Sequence, residues 1–78
     1  MTKLPALKPA EVIRILERAG YHIDHTTGSH YIMRHPDRPG RMPVPYHGAR
    51  DIKRGTLHSI IKQSGLTEEE FFKAEITV

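Results

Sequence analysis

The turn sequence Thr27-Gly28-Ser29 separates two strand-like segments, and it constrains the fold of this chain more than any other feature. In the segment before the turn, residues 21–26, polar and apolar residues alternate as in a half-buried strand whose apolar side carries Tyr21 and Ile23. The segment after the turn, His30 to His35, contains a Tyr-Ile-Met run typical of a strand. Two strands joined by a tight turn predict an antiparallel β-hairpin.

Helices are predicted on both sides of this hairpin. Apolar residues recur at helical spacing over residues 9–19 and 53–64, although the second helix could begin later because of a glycine near its start. Gly20 and Gly65 follow these segments and are typical helix terminators. The capping-box pattern Thr67 to Glu70 predicts a short third helix. The side chains that these last two helices are expected to bury are Leu57, Ile60, Ile61, Phe71 and Phe72.

A third strand is expected over Met42 to Tyr46, after a loop formed by Pro36 to Gly40. Its two prolines, Pro43 and Pro45, cannot donate to a β-ladder, so the strand should be irregular or lie at an edge. The resulting order, α-β-β-β-α(-α), predicts an α+β fold. We expect a two-layer sandwich in which helices cover one face of a three-stranded antiparallel sheet.

Length and composition exclude several classes of protein. A chain of 78 residues has room for one domain, residues 1–78, with a small core. The chain has no cysteine, so disulfide frameworks and thiolate metal sites are excluded. Apolar runs fall short of the ~20 residues that span a bilayer, and the N-terminus lacks the apolar region of a signal peptide. We therefore expect a cytoplasmic protein with no membrane partner.

Positive charge is concentrated in the middle of the sequence. Residues 34–54 contain six Lys and Arg residues against two Asp, whereas residues 64–78 contain four Glu against one Lys. A basic segment of this kind favours an anionic ligand, and an ordinary solvated surface would show the same distribution. Lys53, Arg54 and Thr56 stand at the predicted start of the second helix, where free N–H groups and the helix dipole favour phosphate.

His30 is the candidate catalytic residue, because it follows the turn at the beginning of a strand. An imidazole there can take a proton from a ribose 2′-hydroxyl or give one to a leaving 5′-oxygen. A structural or surface histidine would occupy the same position. His47 follows the proline-rich strand and is either a substrate contact, a second proton carrier or a plain loop residue.

A metal site is not expected. His25, His30 and His35 are spaced by five residues, and an odd step along one strand places His30 and His35 on opposite faces. No further cluster of carboxylates or thiolates completes the usual four-ligand zinc set.

Three separated motifs resemble the HicA toxins, also called the YcfA-like family. They are the run Gly28 to Pro36, the segment Val44 to His47, and the segment Lys53 to Leu66, and the opening segment Val12 to Tyr21 is also similar. Together they cover residues 8–72 in the family's order. The chain departs from the pattern at Lys8, where a Ser or Thr cap is usual. It also departs at His58, where a basic residue is common, and in the paired prolines of the third strand.

This resemblance implies a fold like that of a double-stranded-RNA-binding domain. It implies an endoribonuclease that cleaves mRNA without metal or other cofactor and so halts translation, with His30 as the catalytic histidine and Gly28 and Ser29 as the turn that presents it. It further implies a HicB-type antitoxin that covers the active site. We expect Arg34, Lys53 and Arg54 to hold phosphates. The alternatives are a non-catalytic RNA-binding module and a protein-interaction domain of the same fold.

Overall fold

Three helices and three strands form the structure, a computed structural model that describes residues 6–48 and 50–76, with side chains as far as Lys73. The elements are α1 (Pro9–Arg18), β1 (His22–Thr27), β2 (His30–His35), β3 (Arg38–Pro45), α2 (Arg54–Ser64) and α3 (Glu68–Ile76). The strands form one antiparallel sheet in the order β1-β2-β3. This architecture confirms the predicted α+β sandwich and matches the arrangement of a double-stranded-RNA-binding domain.

Helix α1 begins at Pro9, whose missing N–H has no partner to lose in the first turn. In place of a Ser or Thr cap, the backbone N–H of Lys8 donates to the Glu11 carboxylate at 2.8 Å. Gly20, with a φ of +102°, turns the chain out of the helix. The helix ends at Arg18, one residue before the predicted end.

The second hairpin differs from the prediction. Strand β3 begins at Arg38 rather than Met42, so Pro36 and Asp37 alone form the turn, and the predicted loop was too long. Because β3 lies at the edge of the sheet, one side of it needs no ladder hydrogen bonds, and the strand accommodates Pro39 and the later prolines. The pairing register shifts between Met33 and His35, where the hairpin is irregular.

Strand β1 is more exposed than its alternation predicted. All six of its residues are exposed, and Ile23 keeps 39% of its surface accessible, so the prediction of a half-buried strand was wrong. The reason is the position of the helices, since α1 and α2 both pack against β3 at the opposite edge of the sheet. Tyr21, just before β1, is buried as expected at 7% exposure.

The core lies between the sheet and the three helices. It contains side chains from every element except β1, including Val12, Ile15 and Leu16 of α1, Met33 of β2, Met42 and Val44 of β3, Leu57, Ile60 and Ile61 of α2, and Phe71 of α3. The predicted burial of Leu57, Ile60 and Ile61 along α2 is confirmed, and so is that of Phe71. Phe72 is only partly buried.

The ends of the last two helices follow their local signals. Helix α2 begins at Arg54, one residue after the predicted start at Lys53 and before the later start that Gly55 suggested. Gly65 ends the helix with a φ of +81°. The predicted capping box of α3 is present, since Thr67 and Glu70 exchange hydrogen bonds of 2.9 and 3.1 Å. Among the described residues, no helix has the length and apolar character needed to cross a membrane.

Candidate active site

The turn between β1 and β2 places His30 at the first position of β2. Gly28 adopts a φ of +46°, a conformation that glycine enters without steric cost. The carbonyl of Ser29 accepts a hydrogen bond of 2.6 Å from the backbone N–H of Tyr46, which ties the turn to the end of β3. His30 pairs with Thr27 on one side and with Pro45 on the other, so its backbone is held by both neighbouring strands.

His30 lines an open cavity of about 340 Å³ at the junction of the sheet with the N-terminal end of α2. The polar side chains that share this cavity include His47, Lys53 and Thr56. The structure therefore brings together four of the residues that the sequence singled out. His30 is half-buried, which leaves the imidazole open to a ligand in the cavity while the strand holds its backbone.

The N-terminus of α2 forms one wall of this cavity. Lys53 is the N-cap residue and makes no side-chain capping hydrogen bond, and the first turn of the helix contains no acidic residue. The first helical hydrogen bond of this end runs from Leu57 N–H to the Lys53 carbonyl at 2.8 Å. The N–H groups of the preceding first turn have no acceptor within the helix, so they and the positive end of the helix dipole can receive an anion.

Two charged residues of the cavity were missed by sequence reasoning. Arg50 lies in the basic segment but carried no local motif, and Asp51 adds a carboxylate to an otherwise basic wall. The Asp51 carboxylate is 3.4 Å from the ammonium group of Lys8, and this ion pair joins the start of α1 to the segment before α2. The basic composition of residues 34–54 was the only signal that could have indicated Arg50.

Arg34 and Arg54, both predicted phosphate contacts, do not line the cavity. Arg34 pairs in register with His22 near the far end of β2, and its charge acts on the neighbouring Asp24. Arg54 is the exposed first residue of α2 and follows Lys53, which does line the cavity.

Two other histidines of the predicted hairpin, His25 and His35, have structural partners. His25 Nδ1 lies 2.7 Å from a carboxylate oxygen of Asp24, and this hydrogen bond lowers the pKa of Asp24 below its ordinary value of 3.8. His35 Nε2 lies 3.2 Å from the carbonyl oxygen of Ala19. Within the described part of the chain, no three His, Asp or Glu side chains come together as a metal-binding group.

The tyrosines near the site pack against each other. The rings of Tyr31 and Tyr46 have centroids 4.9 Å apart, and both rest against the core. Tyr31 and Tyr46 therefore serve as packing residues at the margin of the core.

The sequence profile of the family described as "HicA toxin of bacterial toxin-antitoxin" matches residues 9–66, which include the turn, the cavity and both helices that flank it. This chain belongs to the HicA toxin family. Membership makes the protein a toxin of a toxin–antitoxin system, in which the HicA toxin pairs with an antitoxin. A comparison with curated protein sequences gave no match. Helix α3 lies beyond the matched residues and completes the core from outside them.

Proposed function

We propose that this HicA protein is an endoribonuclease that cleaves mRNA without a metal ion, with His30 as its general acid or base. The observation that carries this proposal is the shared cavity of His30, Lys53 and the N-terminus of α2. A proton carrier and a phosphate-binding helix end face the same space, which is the pairing that phosphodiester cleavage needs.

The reaction that suits these groups uses the RNA's own 2′-hydroxyl as nucleophile. Removal of its proton lets O2′ form a bond to the adjacent phosphorus, and the bond from phosphorus to O5′ breaks. A proton then goes to the leaving O5′, so the products are a cyclic 2′,3′-phosphate and a 5′-hydroxyl. His30 serves one of these two proton transfers, and His47, which lines the same cavity, or water serves the other.

Phosphate binding is the role we assign to Lys53, Thr56 and the first-turn N–H groups of α2. Their charge and hydrogen bonds stabilise the negative charge that builds on the phosphorane oxygens. Arg50 adds a further cation at the same wall. Arg34 and Arg54 contribute at longer range, since neither lines the cavity.

The antitoxin that we propose is of the HicB type and acts by covering this cavity. The family supplies the expectation of a protein partner. The cavity is open to solvent and carries cationic side chains, so a partner that places a carboxylate against the N-terminus of α2 would exclude the RNA phosphate.

Cleavage of a long single-stranded RNA by purified protein in excess EDTA tests the proposal. We expect wild type to cleave, and we expect His30→Ala to lower the rate by about 10²–10⁴-fold. His22→Ala is the matched control, because His22 is an exposed strand histidine outside the cavity, and it should cleave like wild type.

Other outcomes have distinct meanings. RNA that is bound but left intact by wild type would favour the non-catalytic RNA-binding alternative. Equal cleavage by wild type and His30→Ala would place the chemistry on another residue. Circular dichroism of each variant shows whether the fold is retained.

A further inference from the structure

A groove extends from the His30 cavity along the whole length of α2. A second open cavity, of about 380 Å³, shares His30, Pro45 and Thr56 with the first and continues to Gln63. A third, of about 550 Å³, also includes Gln63 and reaches Arg38 and Arg41 at the β2–β3 end of the sheet. The first two cavities have three wall residues in common, and the second and third meet at Gln63. We name this line of three open cavities between α2 and β3 the seam groove.

The seam groove has cations at both ends. Arg50 and Lys53 stand beside His30, and Arg38 and Arg41 stand at the distal end. Among the described residues, those that line the middle cavity include no acidic side chain. None of these four cations belongs to an ion pair among the described residues. Of the described residues that line the distal cavity, Asp37 alone carries a carboxylate.

The dimensions of the groove suit several nucleotides of a single strand. From Arg54 to Gln63 the helix rises about 14 Å at 1.5 Å per residue, so the two cation pairs are separated by more than one phosphate step. A recessed, positively charged groove that follows the backbone is how proteins bind single-stranded nucleic acid with little sequence preference.

At the distal end, the Arg38 side chain lies against the C-terminal end of α2. Its guanidinium group covers Gly65, where an added Cβ would collide with it. This position lies at the C-terminal end of α2, whose dipole attracts a cation. Arg38 therefore packs against the end of α2 and also lines the cavity, so its replacement could affect both the fold and RNA binding. Arg41 is exposed on β3, so its replacement tests RNA binding separately.

We propose that Arg38 and Arg41 form a distal phosphate-binding element for single-stranded RNA, which lies along the seam groove with the scissile phosphate at His30. The placement of the scissile phosphate rests on the proposed function. The RNA must then extend several nucleotides to one side of the cleaved bond, and a very short oligonucleotide cannot reach the arginines.

Equilibrium binding of fluorescently labelled oligouridine tests this element. The protein is the full chain carrying His30→Ala, so that bound RNA stays intact. A 12-nucleotide RNA is compared with a 3-nucleotide RNA, each titrated across a range of salt concentrations. The test variant adds Arg38→Gln and Arg41→Gln, and the matched control adds Arg14→Gln and Arg18→Gln, which remove two exposed charges from α1.

The logarithm of the binding constant falls linearly with the logarithm of the salt concentration, and each phosphate contact of a single strand contributes about 0.7 to that slope. For the 12-nucleotide RNA, loss of two contacts should therefore make the slope less steep by about 1.4. If both proteins bind the RNA equally at 1 M salt, this change in slope makes the test variant bind about tenfold more weakly than its parent at 0.15 M salt. The control variant and the 3-nucleotide RNA should show no such loss. Asp37→Asn should tighten binding of the long RNA, because it removes the opposing carboxylate.

Equal binding of the 12-nucleotide RNA by the test and control variants would overturn the proposal, as would an equal loss for both RNA lengths. Absence of binding by the His30→Ala protein would overturn it as well. Arg41→Gln alone keeps the test valid if loss of Arg38 unfolds the protein. RNA binding that depends on the arginines without any cleavage by wild type would contradict the proposed function and leave the distal element standing.

Discussion

Replacement of Phe71 by alanine tests whether α3 is an integral part of this small domain. Phe71 is fully buried at 0% exposure in the core that joins the helices to the sheet, although it lies beyond the family-matched residues. Truncation of a buried phenylalanine costs about 3–5 kcal/mol of unfolding free energy. A domain of this length has roughly 4–12 kcal/mol in total, so the variant should lose a large share of its stability.

The neighbouring Phe72 provides the matched control. It is only partly buried, and its ring meets that of Phe71 edge to face, with centroids 5.5 Å apart. Both single variants lose this ring contact, worth about 0.5–1.5 kcal/mol, so the difference between them reports burial alone. We expect Phe72→Ala to cost less than half as much as Phe71→Ala.

Urea unfolding followed by far-ultraviolet circular dichroism measures both values, and it suits a chain without tryptophan. For Phe71→Ala the melting temperature should also fall, on the order of 15–30 °C. A loss below about 1 kcal/mol, or equal losses for the two variants, would refute the placement of α3 in the core.

The further predictions concern two glycines and the Asp24–His25 pair of β1. Gly20→Ala should destabilise the fold by about 1–3 kcal/mol, because φ is +102° there and the new Cβ would lie 2.7 Å from His35 Nε2. Gly55→Ala, in an open helical position, should instead stabilise by about 0.4–1 kcal/mol; thermal unfolding that gives both variants the same sign would contradict this reasoning. His25→Ala should raise the pKa of Asp24 towards 3.8, measured by NMR titration of the Asp24 carboxyl, and an unchanged pKa would show that the His25 hydrogen bond is not its cause. Since folding lowers this pKa, the pair's contribution to stability is present above pH 3.8 and is lost as the pH falls through the folded-state pKa.

Several elements could be predicted from the sequence because their signals are local. The bounds of β2 agree with the prediction at both ends, and α1 differs by one residue, since turn residues and helical periodicity act on their immediate neighbours. The start of β3 was missed because Pro39 and Gly40 resemble a loop by composition. Only the edge position of the strand makes a proline there acceptable.

The candidate site was predicted in part. His30 and Lys53 belong to recognisable motifs, and both line the cavity. Arg38 and Arg41 form no motif with them, because they join the same groove only through the packing of α2 along β3. Arg34, by contrast, was a predicted phosphate contact because it lies in the basic segment, but it does not line the cavity. The pairing of β2 with β1 places it close enough to Asp24 for its charge to act on that carboxylate.

Local residue patterns were sufficient to predict the kinds of element, their order and the turn that precedes His30, because these depend on residues close together in the chain. The packing of the helices against the sheet set which sheet edge they cover, and therefore that Ile23 is exposed while Phe71 is buried. It also decided that distant cations share one groove with His30. Both outcomes depend on how helices pack on the sheet, a choice made by the summed burial of many side chains rather than by any local pattern.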